Sequence, residues 1–213
     1  ERAENLEQAI QHYQLALQVY TREQFPSEWA GIQNNLGNAY RNRIRGERAE
    51  NLEQAIHHYK IALQVYTRDQ FPEQWSMTQN NLGLAYADRI RGEHAENLEQ
   101  AIQHYKLALQ VYTRERFPVE WATVQNNLGN AYCERIRGER AENLEEAIRR
   151  YELALQVRTR EVLPGDWAMT QNNLAAAYAD RIWGERADNL EEAIYHYQLA
   201  LQVYTREGFP TDW

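Results

Sequence analysis

A strict 46-residue recurrence is the feature that most limits what this chain can fold into. All five prolines keep this spacing, and a tryptophan follows each of them three residues later. The prolines are Pro26, Pro72, Pro118, Pro164 and Pro210. A fixed period of this size is typical of stacked supersecondary units, whose apolar faces are buried by their neighbours. We therefore expect one repeat array over residues 1–213, without an internal domain boundary.

Each repeat contains two helical segments, which we name helix A and helix B. Helix A opens with F-P-x-x-W, and in one copy Leu82 and Tyr86 follow Trp75 at helical intervals. Gly92 is the expected left-handed C-cap of that helix. Helix B is expected to begin at Asn97, with a capping box closed by Gln100. Strand-like alternation appears nowhere, so the pattern predicts an all-α fold.

The same reading gives bounds for every copy. Helix A is expected near residues 26–45, 72–91, 118–137 and 164–183. Helix B is expected near residues 5–21, 51–67, 97–113, 143–159 and 189–205. The tryptophans share a helical face with core leucine and tyrosine. We therefore expect Trp75, Trp121 and Trp167 to be buried between helices A and B.

Composition and charge argue against several classes of function. Lys and Arg number 23 against 31 Asp and Glu, and this acidic balance argues against nucleic-acid binding. No apolar run approaches the length of a membrane span, so no membrane partner is expected. The only cysteine, Cys133, cannot form an intrachain disulfide, and a reducing cytoplasm is the expected location.

The sequence also lacks residue patterns that are typical of catalytic or phosphate-binding sites. No phosphate-binding loop or nucleophile–base set recurs, and Glu7 and Glu53 are read as solvent-facing carboxylates. We therefore expect no enzyme activity and no cofactor. A row of histidines on helix B is broken by Arg150, which argues against a metal site and favours surface positions. The row comprises His12, His58, His104 and His196.

The repeat resembles the tetratricopeptide repeat, whose pattern joins L-G-x-x-Y to A-x-x-x-F-x-x-A and a proline. The matching residues are Leu36, Gly37, Tyr40, Ala55, Tyr59, Ala62 and Pro72. Two departures are Gln33 in place of the family's tryptophan and a unit of 46 rather than 34 residues. The resemblance implies a right-handed α-solenoid of stacked antiparallel helix pairs, about 4.6 repeats long, with helix A lining a concave groove that binds other proteins.

Two narrower resemblances extend this interpretation. The Q-N-N-L-A segment at residues 171–175 is similar to repeats of kinesin light chain. The longer F-P-x-x-W-A-x-T-Q-N-N-L unit resembles bacterial tetratricopeptide arrays joined to caspase-like (CHAT) or NTPase signalling domains. A regulatory segment of such a larger enzyme is therefore an alternative function.

Differences between the copies locate a candidate groove. Four places on helix A differ from copy to copy, and they form one stripe beside a row of asparagines. The candidate groove residues are Asn34, Asn38, Arg41, Asn42, Met77, Asn80, Leu84, Asp88, Thr123, Asn126, Asn130, Glu134, Met169, Asn172, Ala176 and Asp180. Neutral drift on exposed positions is the alternative explanation of the stripe.

Further expectations concern two rows of asparagines on helix A, the partner and the two ends of the chain. The Asn34 row could hold a ligand backbone or serve packing, and both readings remain open. The neighbouring Asn35 row is expected to tie helix A to the preceding loop. The C-terminal part of the stripe is apolar with an acidic edge, so the expected partner is a basic-apolar peptide or helix. Self-association through two uncapped ends is the other alternative.

Overall fold

The structure, a computed structural model, describes residues 1–204 and contains nine α-helices in that range. They are α1 (Arg2–Ala16), α2 (Pro26–Asn42), α3 (Arg48–Ala62), α4 (Pro72–Ala87), α5 (His94–Ala108), α6 (Pro118–Glu134), α7 (Arg140–Leu155), α8 (Pro164–Asp180) and α9 (Arg186–Leu201). No strand occurs in the described part of the chain. The fold is therefore an all-α repeat array, as the sequence predicts.

The helices group into two compact units, Glu1–Val111 and Tyr112–Trp213. The first unit holds α1 to α5, and the described part of the second holds α6 to α9. Within each unit consecutive helices pack together, and helix A packs most extensively on the helix B that follows it. A single solenoid over the whole chain remains a prediction.

Proline fixes where every helix A begins. In α2, α4, α6 and α8 it occupies the first turn, where its missing N–H costs no hydrogen bond. The helix ends earlier than predicted, for example at Ala87 rather than near residue 91. Gly92 does adopt a left-handed φ of 81°, but it lies in the following loop and Asp88 is the C-cap. The predicted C-cap role of Gly92 is therefore wrong.

The predicted N-cap role of Asn97 is also wrong. Helix α5 starts three residues earlier, at His94, and helix B ends before the predicted bound, at Ala108 rather than residue 113. Asn97 is only 2% exposed, and its Nδ2 donates to the carbonyl oxygens of Arg91 at 2.9 Å and Arg89 at 3.3 Å. The amide therefore closes the loop after helix A instead of capping its own helix.

A glycine on helix A makes room for the central tyrosine of helix B. Tyr59 is fully buried, and a Cβ added at Gly37 would lie 2.5 Å from its Cε1 atom. Its hydroxyl donates to Asn38 Oδ1 at 2.7 Å. The last described helix A carries Ala175 at the place of Gly37, and its partner Tyr197 is 37% exposed.

The tryptophans are half-buried rather than buried. Trp75 is partly buried against a cluster formed by Ala30, Ala62 and Tyr66. Trp121 and Trp167 are likewise half-buried. All three lie in the first turn of helix A, three residues after the proline.

Two carboxylates predicted to face solvent instead join successive repeats. Glu7 accepts a bidentate pair of hydrogen bonds from Arg43 at 2.8 and 2.7 Å, and Glu53 accepts the same pair from Arg89. The hydrogen-bonding arginines lower the pKa of both carboxyl groups. Both are thus held ionised as structural contacts.

Candidate functional site

Helices α6, α7 and α8 of the second unit enclose a cleft of about 430 Å³, which we name the α6–α8 cleft. Four of the predicted groove residues line it, namely Asn130, Glu134, Ala176 and Asp180. The other lining residues are Cys133, Arg140, Tyr151, Asn173 and Ala177. The variable stripe of two successive helices A therefore does converge on one concave feature.

The inner wall of the cleft is a fixed polar network. The hydroxyl of Tyr151 donates to Asn130 Oδ1 at 2.7 Å, and Asn173 Nδ2 donates to the same oxygen at 3.1 Å. Burial raises the pKa of Tyr151 above its usual value, so the phenol remains a protonated donor. Cys133 Sγ lies 3.6 Å from that hydroxyl, and burial raises the pKa of the thiol. A raised pKa disfavours the thiolate, which is the nucleophilic form of cysteine.

The outer edge of the cleft is acidic and open to solvent. The Asp180 side chain is 68% exposed, and among residues 1–204 its ion pair is with Arg140 at 3.6 Å. Glu134, on the opposite helix, is exposed as well. Two carboxylates thus stand at the rim while small side chains, Ala176 and Ala177, form the surface between them.

The equivalent positions in the first unit carry a different set of charged side chains. Arg41 stands where the second unit has Cys133, and it donates to Asp88 Oδ2 at 3.0 Å. Arg48 approaches the same carboxylate at 3.5 Å, so two guanidinium groups neutralise Asp88. Because a thiol replaces one of them in the second unit, Asp180 keeps a single partner and the cleft keeps an acidic rim.

Some predicted groove residues in the first unit make hydrogen bonds within the fold, as Asn130 does in the second unit. Asn38 accepts the Tyr59 hydroxyl, and Asn42 Nδ2 donates back to the Asn38 carbonyl at 2.9 Å. Leu84 is half-buried on the adjacent helix A. The polar residues here therefore close the end of α2.

The Asn34 row is not a groove surface in two of its four copies. Asn34 is 2% exposed and accepts hydrogen bonds from Thr78 at 3.2 Å and Asn81 at 3.4 Å on the next helix A. Asn126 is 1% exposed and accepts equivalent bonds from Thr170 and Asn173. These amides hold successive helices A together, because a buried amide must be paired.

The remaining members of the two asparagine rows differ among themselves. Asn80 is half-buried and hydrogen-bonded, whereas Asn172 is exposed. Asn35 is exposed, and its counterparts Asn81 and Asn173 bond to the preceding helix A rather than to a loop. The predicted tie between this row and the preceding loop is therefore wrong.

Three further predicted groove residues lie near the start of helix A, away from the cleft lining. Met77 and Met169 are 39% and 36% exposed. The hydroxyl of Thr123 donates to the Val119 carbonyl at 2.9 Å and accepts from Arg158 at 3.1 Å. The structure does not bring these side chains into the α6–α8 cleft.

Sequence reasoning missed the contribution of helix B to the cleft. Tyr151 reads as an ordinary core residue, and it reaches the cleft because Gly129 leaves space beside its ring. Arg140 lies at the first turn of α7 in a segment that is nearly identical in every repeat. No sequence signal separates it from its copies, so only the packing of α7 reveals its role.

The histidine row is half-buried from the second member onward, which corrects the predicted surface position. His58 stacks on Tyr40 with ring centroids 5.4 Å apart, and its Nδ1 lies 2.7 Å from Gln33 Oε1. His104 and His196 have equivalent partners, and His12 is exposed. Burial lowers the pKa of His58 and His104 to about 4. Within residues 1–204, no group of three His, Cys, Asp or Glu residues could hold a metal ion.

The length and apolarity of the described helices decide whether any of them could cross a membrane. None of the helices in residues 1–204 combines the length and the apolarity that a membrane crossing requires.

Comparison with known proteins shows which families and which solved structure this chain resembles. The model of the family described as soluble NSF attachment protein (SNAP) matches residues 1–113, more than half of the chain, and the model of the tetratricopeptide repeat matches residues 121–160. BtubC (BKLC) from P. vanneervenii has a similar solved structure, with a TM-score of 0.71 and 23% identity over 93% of this chain and 73% of that chain. At this identity the likeness concerns the fold. No curated protein matches the sequence. The chain therefore belongs to the tetratricopeptide-type repeat proteins, and through residues 1–113 to the family described as soluble NSF attachment protein.

Proposed function

We propose that the chain is a protein-interaction scaffold and that the α6–α8 cleft binds a peptide segment of its partner. The observation that carries this proposal is the convergence of Asn130, Glu134, Ala176 and Asp180 on one cleft, since these four residues occupy two places that differ between repeats. The repeat fold supports the coarser statement, because arrays of this type present extended binding surfaces. The description of the matching family as an attachment protein is in accord with a role in joining proteins.

The lining of the cleft indicates the chemistry of the peptide. Asp180 and Glu134 favour a Lys or Arg side chain at the rim, where ion pairs act on encounter rate and specificity more than on affinity. Ala176 and Ala177 leave a shallow surface that suits an apolar anchor. The expected ligand is therefore a short basic-apolar segment, extended or helical, with modest affinity.

We also propose that the chain itself is not an enzyme. Its half-buried thiol, Cys133, has a raised pKa, and the paired carboxylates Glu7 and Glu53 have lowered pKa values. Neither change suits a group that must exchange protons or attack a substrate near neutral pH.

A substitution taken from the chain's own first unit provides the test. Cys133→Arg copies Arg41, which pairs with Asp88, and it should place a guanidinium on Asp180 and close the cleft. A peptide library is first selected on the natural chain, and the best basic-apolar peptide is then titrated by fluorescence anisotropy. We expect Cys133→Arg to weaken binding about ten-fold or more, because it removes both the space and the free charge.

The matched control changes an arginine on the exposed surface without touching the cleft. Arg160→Cys in the same unit should leave the affinity for the peptide within two-fold, since Arg160 donates to Gln202 and does not line the cleft. Circular dichroism verifies that both variants remain helical. Equal binding of the peptide to the natural chain and to folded Cys133→Arg would contradict the proposal.

A second candidate function, self-association, is favoured by the outer face of α9. Ile194 and Tyr197 are 55% and 37% exposed, whereas the equivalent residues of α3, Ile56 and Tyr59, are 5% and 0% exposed beneath α4. An apolar face of this kind fits helix A of a second copy, since that is what covers it inside the array. Light scattering on residues 1–213 should then give a mass that rises with concentration, and Ile194→Lys should abolish the rise. A constant mass at high concentration would contradict it.

A further inference from the structure

A second cleft, of about 520 Å³, lies between α7 and the residues that follow α8 in the second unit, and we name it the α7–Trp183 cleft. It shares no lining residue with the α6–α8 cleft. Its walls carry Tyr178, Arg181 and Trp183 on one side and six residues of α7 on the other, namely Glu142, Glu145, Glu146, Ile148, Arg149 and Glu152. Arg181 holds Glu145 in a bidentate ion pair, so that carboxylate is already neutralised.

Trp183 is the one tryptophan that departs from the 46-residue spacing, and it replaces an arginine. The equivalent residues in the first unit are Arg45, which pairs with Glu4 at 2.8 Å, and Arg91, which pairs with Glu50 at 2.9 Å. In the second unit the counterpart of those glutamates is Glu142, which is exposed and faces an indole instead of a guanidinium. Trp183 is itself 52% exposed. The second unit therefore lacks the arginine that pairs with this glutamate in the first unit, but it keeps the glutamate, Glu142.

A second cation is replaced in the same cleft. In the first unit the ammonium group of Lys60 lies 5.4 Å from the ring centroid of Tyr86. The second unit has Glu152 and Tyr178 at these two places, and the Tyr178 hydroxyl donates to Glu152 Oε1 at 3.4 Å. Together the two replacements remove two positive charges and add one negative charge, a net change of three charge units, and they add an exposed aromatic ring. On the same wall Arg149 stands where the first unit has His57, which adds one positive charge.

We propose that the α7–Trp183 cleft docks a basic segment of a partner protein. One Arg or Lys side chain lies over the Trp183 indole and pairs with Glu142, and a second approaches Glu152 beside the Tyr178 ring. Both contacts restore cations that the other unit supplies from its own chain. An indole is the aromatic ring that attracts a cation most strongly. This docking is a second interaction surface and does not depend on ligand binding in the α6–α8 cleft.

The test uses a fluorescein-labelled decapeptide with four arginines alternating with glycines, and a control peptide in which citrulline replaces each arginine. Both are titrated by anisotropy on the Cys133→Arg variant, in which the other cleft is closed. We expect the arginine peptide to bind, and the neutral citrulline peptide to bind at least ten-fold more weakly. The double variant Trp183→Arg, Glu152→Lys copies the first unit and should weaken the arginine peptide about ten-fold, the size of a cation–π contact and a surface ion pair combined.

A charge-matched control separates docking from general attraction to an acidic protein. Glu23→Lys with Gln24→Arg adds the same three charges in an exposed loop of the first unit, and binding should stay within two-fold. The reverse pair, Lys60→Glu with Arg91→Trp, should create a second site and raise the stoichiometry from one peptide to two. Equal loss of affinity in the charge-matched control, or equal binding of the citrulline peptide, would overturn the proposal. Unchanged binding by folded Trp183→Arg, Glu152→Lys would do so as well.

Discussion

Gly37→Ala should destabilise the first unit although alanine is the better helix former. A Cβ at this position would lie 2.5, 2.6 and 2.9 Å from three ring atoms of Tyr59. These distances are shorter than side-chain contacts tolerate, so the ring must shift. Tyr59 is fully buried and hydrogen-bonded to Asn38, and both features depend on the ring position.

The magnitude follows from three opposing effects. Overpacking a well-filled core costs about 1–3 kcal/mol. Loss of the Tyr59 hydrogen bond costs about 1 kcal/mol more. Replacing glycine within a helix returns about 1 kcal/mol. The net loss in the free energy of unfolding is therefore about 1–3 kcal/mol.

Urea denaturation followed by circular dichroism measures this change, and Gly165→Ala is its matched control. Gly165 lies in the first turn of α8, and nothing lies within 4 Å of the position that its Cβ would occupy. The control should therefore be neutral or slightly more stable. If Gly37→Ala behaved like Gly165→Ala, the close fit between Gly37 and Tyr59 would not contribute to stability.

Three further predictions concern stability. Asn97→Ala removes a buried amide together with its hydrogen bonds to two loop carbonyls and from the Arg89 guanidinium, and should lower the free energy of unfolding by about 2–3 kcal/mol, against about 1 kcal/mol for a lost N-cap; urea denaturation distinguishes the two values. The pKa of His58 and His104 is lowered to about 4 in the folded state, so their contribution is complete above about pH 6.5 and is lost as the pH falls toward 4. Melting temperatures at pH 7.5 and pH 5 should differ less in His58→Gln, His104→Gln than in the natural chain, and an unchanged difference would refute this. Arg158 is 2% exposed, its Nε has no hydrogen-bond partner, and burial lowers its pKa. Arg158→Tyr, which copies Tyr66, should therefore stabilise the chain by about 1 kcal/mol, and a lower melting temperature would contradict this.

The repeat, the all-α class and the start of each helix A could be predicted because proline and glycine constrain the backbone directly. The start of helix B could not. An asparagine side chain looks the same in the sequence whether it caps its own helix or closes the preceding loop, and the loop around Gly92 decides which it does. Helix ends were similarly misplaced, since the residues after Ala87 keep the apolar spacing but leave the helix.

The sequence indicates those residues of the candidate site that differ between repeats. It does not indicate the residues that reach the site through tertiary packing. Differences between repeats identified Asn130, Glu134, Ala176 and Asp180, which do line one cleft. The sequence left two roles open for the Asn34 row, because an amide buried between successive helices has the same spacing as an exposed one. Tyr151 and Arg140 come from helix B, and their approach to helix A is a tertiary contact that periodicity does not contain.

The position of a bound peptide is the most direct measurement of the proposed scaffold function. A peptide selected on the natural chain would carry a photoreactive group at its apolar anchor, and mass spectrometry would locate the cross-link. We predict cross-links to residues 130–134 of α6 and 173–180 of α8, and their loss in Cys133→Arg. Cross-links that lie instead on α9 or on the first unit, and that persist in Cys133→Arg, would show that the α6–α8 cleft is not the binding surface.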